Sequence, residues 1–197
     1  MTPAEYIQLK AFARIDGALL AVVWIIGFAC YLVGMARPVY GLAAVLLLVS
    51  SPFFAASRLR HFRDEARQGS ITLARGWAYS VLMFFYGGIL LALAQYLYLT
   101  FMDHGYMLMQ LTRMMESPEG KMMVEQYGLQ QTMAESLAML SEQRPIDLAL
   151  NMLTMVILSG IVLGLPIGAF MQRKGCKEVK GNKGVKDSGH INSNTSL

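Results

Sequence analysis

Asp103, His104, Arg144 and Asp147 come nearest to a chemical constellation in this 197-residue sequence. Asp103 closes one long apolar run and Asp147 opens the next, with His104 and Arg144 beside them. A carboxylate pair, an imidazole and a guanidinium brought together at a membrane boundary would be the material of a membrane enzyme. Gln95 and Asn151, a few residues inside the same two runs, add two polar side chains to the group. The plainer reading is that all these residues cap helix ends and hydrogen-bond between helices, because polar residues in membrane proteins concentrate there.

A second candidate is methionine. Eight of the 15 methionines fall between Asp103 and Asp147, and methionine clusters can ligate soft metals such as copper(I). Against that, His104 is the only imidazole or thiol near them, and methionine is also a common filler of irregular apolar surfaces. The remaining chemistry is sparse. His61, His104 and His190 are scattered over three separate segments, which argues against triads and histidine-based metal sites. Ser50 and Ser51 have no histidine placed to activate them. Cys30 sits in an apolar run and Cys176 in a lysine-rich stretch, so the two make neither a disulfide framework nor a metal spacing. No glycine-rich loop follows a strand, so a phosphate cradle is unsupported. These observations imply no cofactor and no catalytic residue.

The elements that would position such residues are apolar helices. Of the residues, 55% are hydrophobic and only 15% charged, against about 25% charged in soluble domains. A bilayer core takes roughly 20 apolar residues in helical form. Four runs meet that need: Gly17 to Ala36, Tyr40 to Ala56, Ala78 to Met102, and Leu148 to Phe170. The first is longer than a signal-peptide core and follows a segment containing Glu5 and Asp16, so it reads as an anchor that stays. Pro3 to Arg14 reads as a short interfacial helix with Tyr6, Ile7, Leu9 and Phe12 against lipid. Pro52 falls near the inner end of the second span, where it removes a donor and can bend the helix. The third carries Tyr96 and Tyr98 with Tyr106 just beyond, an aromatic belt at interfacial depth. The expected fold is all-α: an integral membrane four-helix domain over residues 1–174, with an extracytoplasmic amphipathic segment at 103–147 between helices three and four. Residues 175–197 form a basic tail too polar to fold alone.

Lysine and arginine set the direction. Thirteen of the 17 flank one side: Lys10, Arg14, Arg58, Arg60, Arg63, Arg67, Arg75, and six in the stretch from Arg173 to Lys186. Arg37, Arg113, Lys121 and Arg144 flank the other. Both termini are therefore expected in the cytoplasm. The distribution of the +4 net charge points to anionic headgroups on that side, not to nucleic acid. The loop from Ser57 to Gly76 continues the second helix past lipid; Gly69 ends it and Ser70 opens the next.

Outside, Met107, Leu108, Leu111, Met114 and Met115 recur at helical spacing. Ser117-Pro118-Glu119 is a helix start with serine as N-cap. A second helix would carry Met122, Met123, Tyr127, Met133, Leu137 and Leu140 on one face, weakened at Gly128 and ended by Arg144-Pro145. Within the membrane, Gly160, Gly164 and Gly168 form a small-residue stripe, and Gly87-Gly88 a second point of close approach. Such stripes pack helices inside one chain or between copies, so a homo-oligomer or another membrane protein remains open as a partner.

Several strings in order carry a family resemblance: Phe62-Arg63-Asp64, Gly69-Ser70-Ile71 with Ala74-Arg75-Gly76, Gly88-Ile89-Leu90 with Tyr96-Leu97-Tyr98, Phe101-Met102-Asp103, Arg144-Pro145-Ile146-Asp147, and Arg173-Lys174. Over roughly residues 5 to 174 the chain resembles the domain-of-unknown-function 4199 family of Bacteroidetes membrane proteins. That resemblance implies a bacterial inner-membrane protein with four helices and no established activity. Three functions stay open: a non-enzymatic protein acting on the membrane or a partner, a small transporter or channel subunit working as an oligomer, and an enzyme built on the residues named at the start.

Overall fold

A computed structural model describes residues 3–66 and 69–172. The described chain is helical: α1 Pro3–Gly34, α2 Pro38–Ala66, α3 Leu73–Phe101, α4 Tyr106–Glu116, α5 Pro118–Gln126, α6 Gln130–Glu142 and α7 Pro145–Met171. Four of these, α1, α2, α3 and α7, are long and apolar enough to cross a membrane. Their flanks expose Leu46, Leu48, Leu93, Met155 and Val162, a surface suited to lipid and not to water. The tail expected beyond Lys174, with Cys176 and His190, lies outside the described residues.

Each long helix exceeds its apolar run. The 32 residues of α1 extend about 48 Å at 1.5 Å per residue, against a hydrocarbon core of roughly 30 Å. The separate interfacial helix expected at Pro3 to Arg14 does not exist; it is the first part of α1. The reason is side-chain spacing. Leu9, Ala13, Leu20 and Trp24 continue one stripe along the whole helix and are buried together. Leu9 faces protein, not lipid, and Phe12 packs on Phe62 with ring centroids 5.3 Å apart. Tyr6 and Ile7 do stay exposed.

Helices α1 and α2 form an antiparallel hairpin. Gly34 lies against Gly41, Gly27 against Leu47, and Trp24 Nε1 donates to Ser51 Oγ at 2.7 Å. Helix α3 packs along α1 in parallel and along α7 in antiparallel sense, while α2 and α7 meet more sparingly. The buried core gathers towards the end where α2 turns into α3: Leu9, Ala55, Leu59, Phe62, Tyr79 and Ile167 all lie there. Towards the α1–α2 turn, α2 exposes Val39, Leu42, Val45, Leu46, Leu48 and Val49, leaving one seam against α1.

The connections show where local signals are strong. Ser117 Oγ accepts from the Gly120 amide at 3.1 Å with Pro118 in the first turn of α5, and Pro145 opens α7. Two expectations are corrected. Ser70 does not open α3; Thr72 occupies the cap and its side chain makes no capping bond. Gly69, at φ +80°, does supply the left-handed turn after α2. The second long helix of the 103–147 segment is two helices, α5 and α6. Gly128 at φ +64° breaks it, so the face from Met122 to Leu140 is not continuous.

Candidate functional site

The polar residues buried most deeply are not those at the Asp103–Asp147 end. Asp16 occupies the same stripe of α1 as Leu9, Ala13, Leu20 and Trp24, so the helix that buries those residues must bury a carboxylate too. It is fully buried. About 20 residues counted back from the α1–α2 turn span the hydrocarbon, which places Asp16 near a membrane–water boundary. Gly17, its neighbour, allows α1 to touch α3. A Cβ there would stand 2.7 Å from the Met83 carbonyl oxygen and 3.1 Å from the Gly87 nitrogen.

Two helices answer the carboxylate. Arg58 of α2 donates from Nε to Asp16 Oδ1 at 2.6 Å, and its Nη2 also pairs with that oxygen. The Tyr79 hydroxyl of α3 donates to Oδ2. Each carboxylate oxygen is thus held by a different helix. The phenol ring of Tyr79 stacks on Phe62 at 5.0 Å, and Phe62 in turn meets Phe12, so an aromatic ladder through the three helices seals the group from one side. Arg58 keeps 28% of its side chain exposed and is the route from this buried cluster to the surface. Nearby, Arg75 Nη2 donates to Glu5 Oε2 at 2.8 Å, and Arg63 pairs with Asp64 and reaches the Met171 carbonyl. Of the five loop arginines, Arg60 is largely exposed, at 69%, and Arg67 lies outside the described residues.

The residues expected at the other end find local partners. Asp103 accepts from the amides of Gly105 and Met107 at 3.2 and 3.1 Å, so its carboxylate caps the start of α4. Arg144 and Asp147, three residues apart, form a two-bond pair at 2.8 and 3.0 Å. That pair holds the exposed Arg144 guanidinium above its ordinary pKa. His104 sits exposed in the turn at φ +42°, its Nδ1 3.1 Å from the Met102 carbonyl oxygen. Asn151 is exposed on α7. Gln95 is different: it is 7% exposed, and its Oε1 is buried with no hydrogen-bond partner. His61 lies on α2 beside Glu65, and Cys30 is a free thiol. Among the described residues, no group of three or more His, Cys, Asp and Glu stands close enough to hold a metal ion.

The glycines mark the seams. A Cβ at Gly160 would lie 2.6 Å from Phe84 Cβ, one at Gly164 would lie 3.1 Å from Trp77 Cδ1, and one at Gly168 would lie 3.0 Å from the Trp77 nitrogen. A Cβ at Gly88 would lie 2.9 Å from Val156 Cγ1, and one at Gly87 would lie 3.0 Å from the Gly17 carbonyl oxygen. The stripe of α7 is therefore filled by α3 of the same chain. This register, Gly76 to Gly168 and Gly88 to Val156, puts Gln95 level with Ala149, and both are buried. Pro166 interrupts the α7 ladder, and close to it the Ile161 carbonyl accepts Trp77 Nε1–H at 3.1 Å.

Sequence reasoning missed Asp16, Arg58 and Tyr79 as a group. It took Asp16 as a flank of the first span and Arg58 as a marker of topology. The available signal was a carboxylate in register with an apolar stripe, and an arginine in register with Ser51, Ala55 and Phe62 on α2.

Long apolar helices with glycine seams and a buried interhelical ion pair define an all-helical membrane protein. The chain belongs to the family described as protein of unknown function (DUF4199), whose model matches residues 16–173. Comparison with curated proteins and with solved structures finds no match.

Proposed function

We propose that this is a multi-pass protein of a bacterial inner membrane that acts by interaction with the membrane or a partner, and not by catalysis. In this reading both termini and the α2–α3 connection are cytoplasmic, and α4–α6 lies outside. The lysine and arginine count supports that orientation, since it agrees across every short flanking segment. Arg60 and the other exposed cations then meet anionic headgroups on the cytoplasmic face.

The observation that carries the interaction reading is the surface of α4–α6. These helices bury no residue, and they leave Met114, Met122, Met123, Tyr127 and Met139 exposed. Asp103, Arg144 and Asp147 at that end are engaged in capping and pairing, while methionine offers an adaptable apolar contact. Single cysteines at Lys121 and Arg60, in a chain lacking Cys30 and Cys176, test the orientation. A membrane-impermeant maleimide applied to spheroplasts should label the first and spare the second; the reverse pattern overturns it. Photo-crosslinkers at Met122 and Met123 should give lipid or protein adducts in native membranes. Their absence there, with normal expression, removes the interaction reading.

A second reading, a small transporter or channel subunit acting as an oligomer, draws on the buried ionisable Asp16, since such residues mark transport paths in membrane proteins. Flux of ions or small solutes through the reconstituted oligomer would favour it over the first.

A further inference from the structure

We infer that Asp16, Arg58 and Tyr79 form a latch that holds the end of α2 against the rest of the helical body, and that this body opens along the seam between α2 and α7. Three observations lead there. First, the grip on α2 is concentrated. Arg58 pairs with Asp16, Phe62 stacks on Tyr79, and Arg63 reaches the last carbonyl of α7, all within six residues of one helix. Away from that end, α2 exposes most of its side chains and keeps one seam to α1.

Second, Pro52 stands between the two portions of α2. A proline inside a helix removes one ladder bond and gives the segments on either side freedom to bend. The gripped portion can therefore move while the Gly34–Gly41 contact at the other end stays in place.

Third, the grip is ionic where an apolar contact would serve. A buried ion pair is often no more stabilising than well-packed apolar residues of similar volume. It differs in having two discrete states, paired and unpaired. Arg58 can leave Asp16 for water or headgroups, because a quarter of its side chain already lies exposed; Asp16 cannot follow, because it is fully enclosed. Among the described residues, Arg58 has no partner but Asp16. Release of that side chain leaves the end of α2 held by the Phe62 ring and by Arg63 on the Met171 carbonyl, while α1 and α3 remain joined by the Gly17–Gly87 contact and the α3–α7 glycine seam.

The test measures spacing between helices in the full chain, reconstituted in lipid nanodiscs with Cys30 and Cys176 replaced by serine. Spin labels at Arg60→Cys on α2 and Phe170→Cys on α7 report the seam, both sites being strongly exposed. Labels at Ile7→Cys on α1 and Leu73→Cys on α3, also exposed, serve as the control. Arg58→Met and Asp16→Asn, made singly, should each add a population longer by about one helical turn, roughly 5 Å, across α2–α7. The control distance should stay unchanged. The double variant Asp16→Leu/Arg58→Met leaves no charge unpaired and should restore the short distance alone. Three results overturn the latch: single variants that keep the original α2–α7 distance, loss of the control distance together with it, or a double variant that stays open. Loss of the control distance would make the triad a plain requirement for folding.

Discussion

At one end of this molecule, a carboxylate, a guanidinium and a phenol from three helices meet in a buried cluster, with residues 16, 58 and 79 far apart in the chain. At the other end, Arg144 and Asp147 pair across three residues of one segment, and Asp103 caps the helix that follows it. Both ends are polar and both flank the same apolar helices. They differ in what their polar groups hold together. The first set joins helices, so it was desolvated when the helices packed. The second set finishes helix ends, so its members stay near solvent and their contacts remain local. An exposed ion pair contributes little to stability, while separating a buried one leaves a charge without compensation.

Substitutions sharpen that contrast, and the largest effect belongs to the buried carboxylate. Arg58→Ala should lower stability by about 3 kcal/mol, because the fully enclosed Asp16 carboxylate loses its counter-charge. Unfolding of the purified protein in mixed detergent, followed by circular dichroism, measures this; a loss near zero would break the comparison. Next comes Gly160→Leu. The side chain would enter Phe84, which a bare Cβ already approaches to 2.6 Å. Forcing α3 and α7 apart should cost about 2 kcal/mol, read in the same assay.

Gln95→Leu should act in the opposite direction. The buried amide oxygen has no partner, so replacing it with an apolar side chain of similar size should raise stability by about 1 kcal/mol. A destabilised variant would mean that the amide has a partner in the membrane. The smallest effect is expected for Arg144→Ala, whose pair lies largely in solvent: its unfolding midpoint should match the wild type within error. A shift as large as that of Arg58→Ala would erase the distinction between the two ends.

Much of this architecture is legible without coordinates. The number of long helices follows from four apolar runs, and the start of α5 follows from serine placed before proline. Those signals are local, and local physics suffices for them. The errors came where a residue belonged to two patterns at once. Leu9 and Phe12 read as a lipid-facing surface until α2 and α3 supplied the other side of the stripe. Gly128 read as a weak point in one helix, yet its left-handed conformation made two helices of it. At the candidate site, the sequence directed attention to Asp103 and Asp147 because they mark the boundaries of apolar runs. It passed over Asp16 and Arg58 for the same reason, since each reads as an ordinary flank.

The sequence by itself therefore determined the class of protein and the number of its long apolar helices, because hydropathy acts over a span. It also determined which faces carry glycine, and so where close approach could occur. Only the tertiary structure decided that the α7 glycines are filled by α3 of the same chain, and that Asp16, Arg58 and Tyr79 share one buried cluster. Those outcomes depend on the register between helices. Register is set by the joint packing of side chains far apart in the chain, and no single helix contains it.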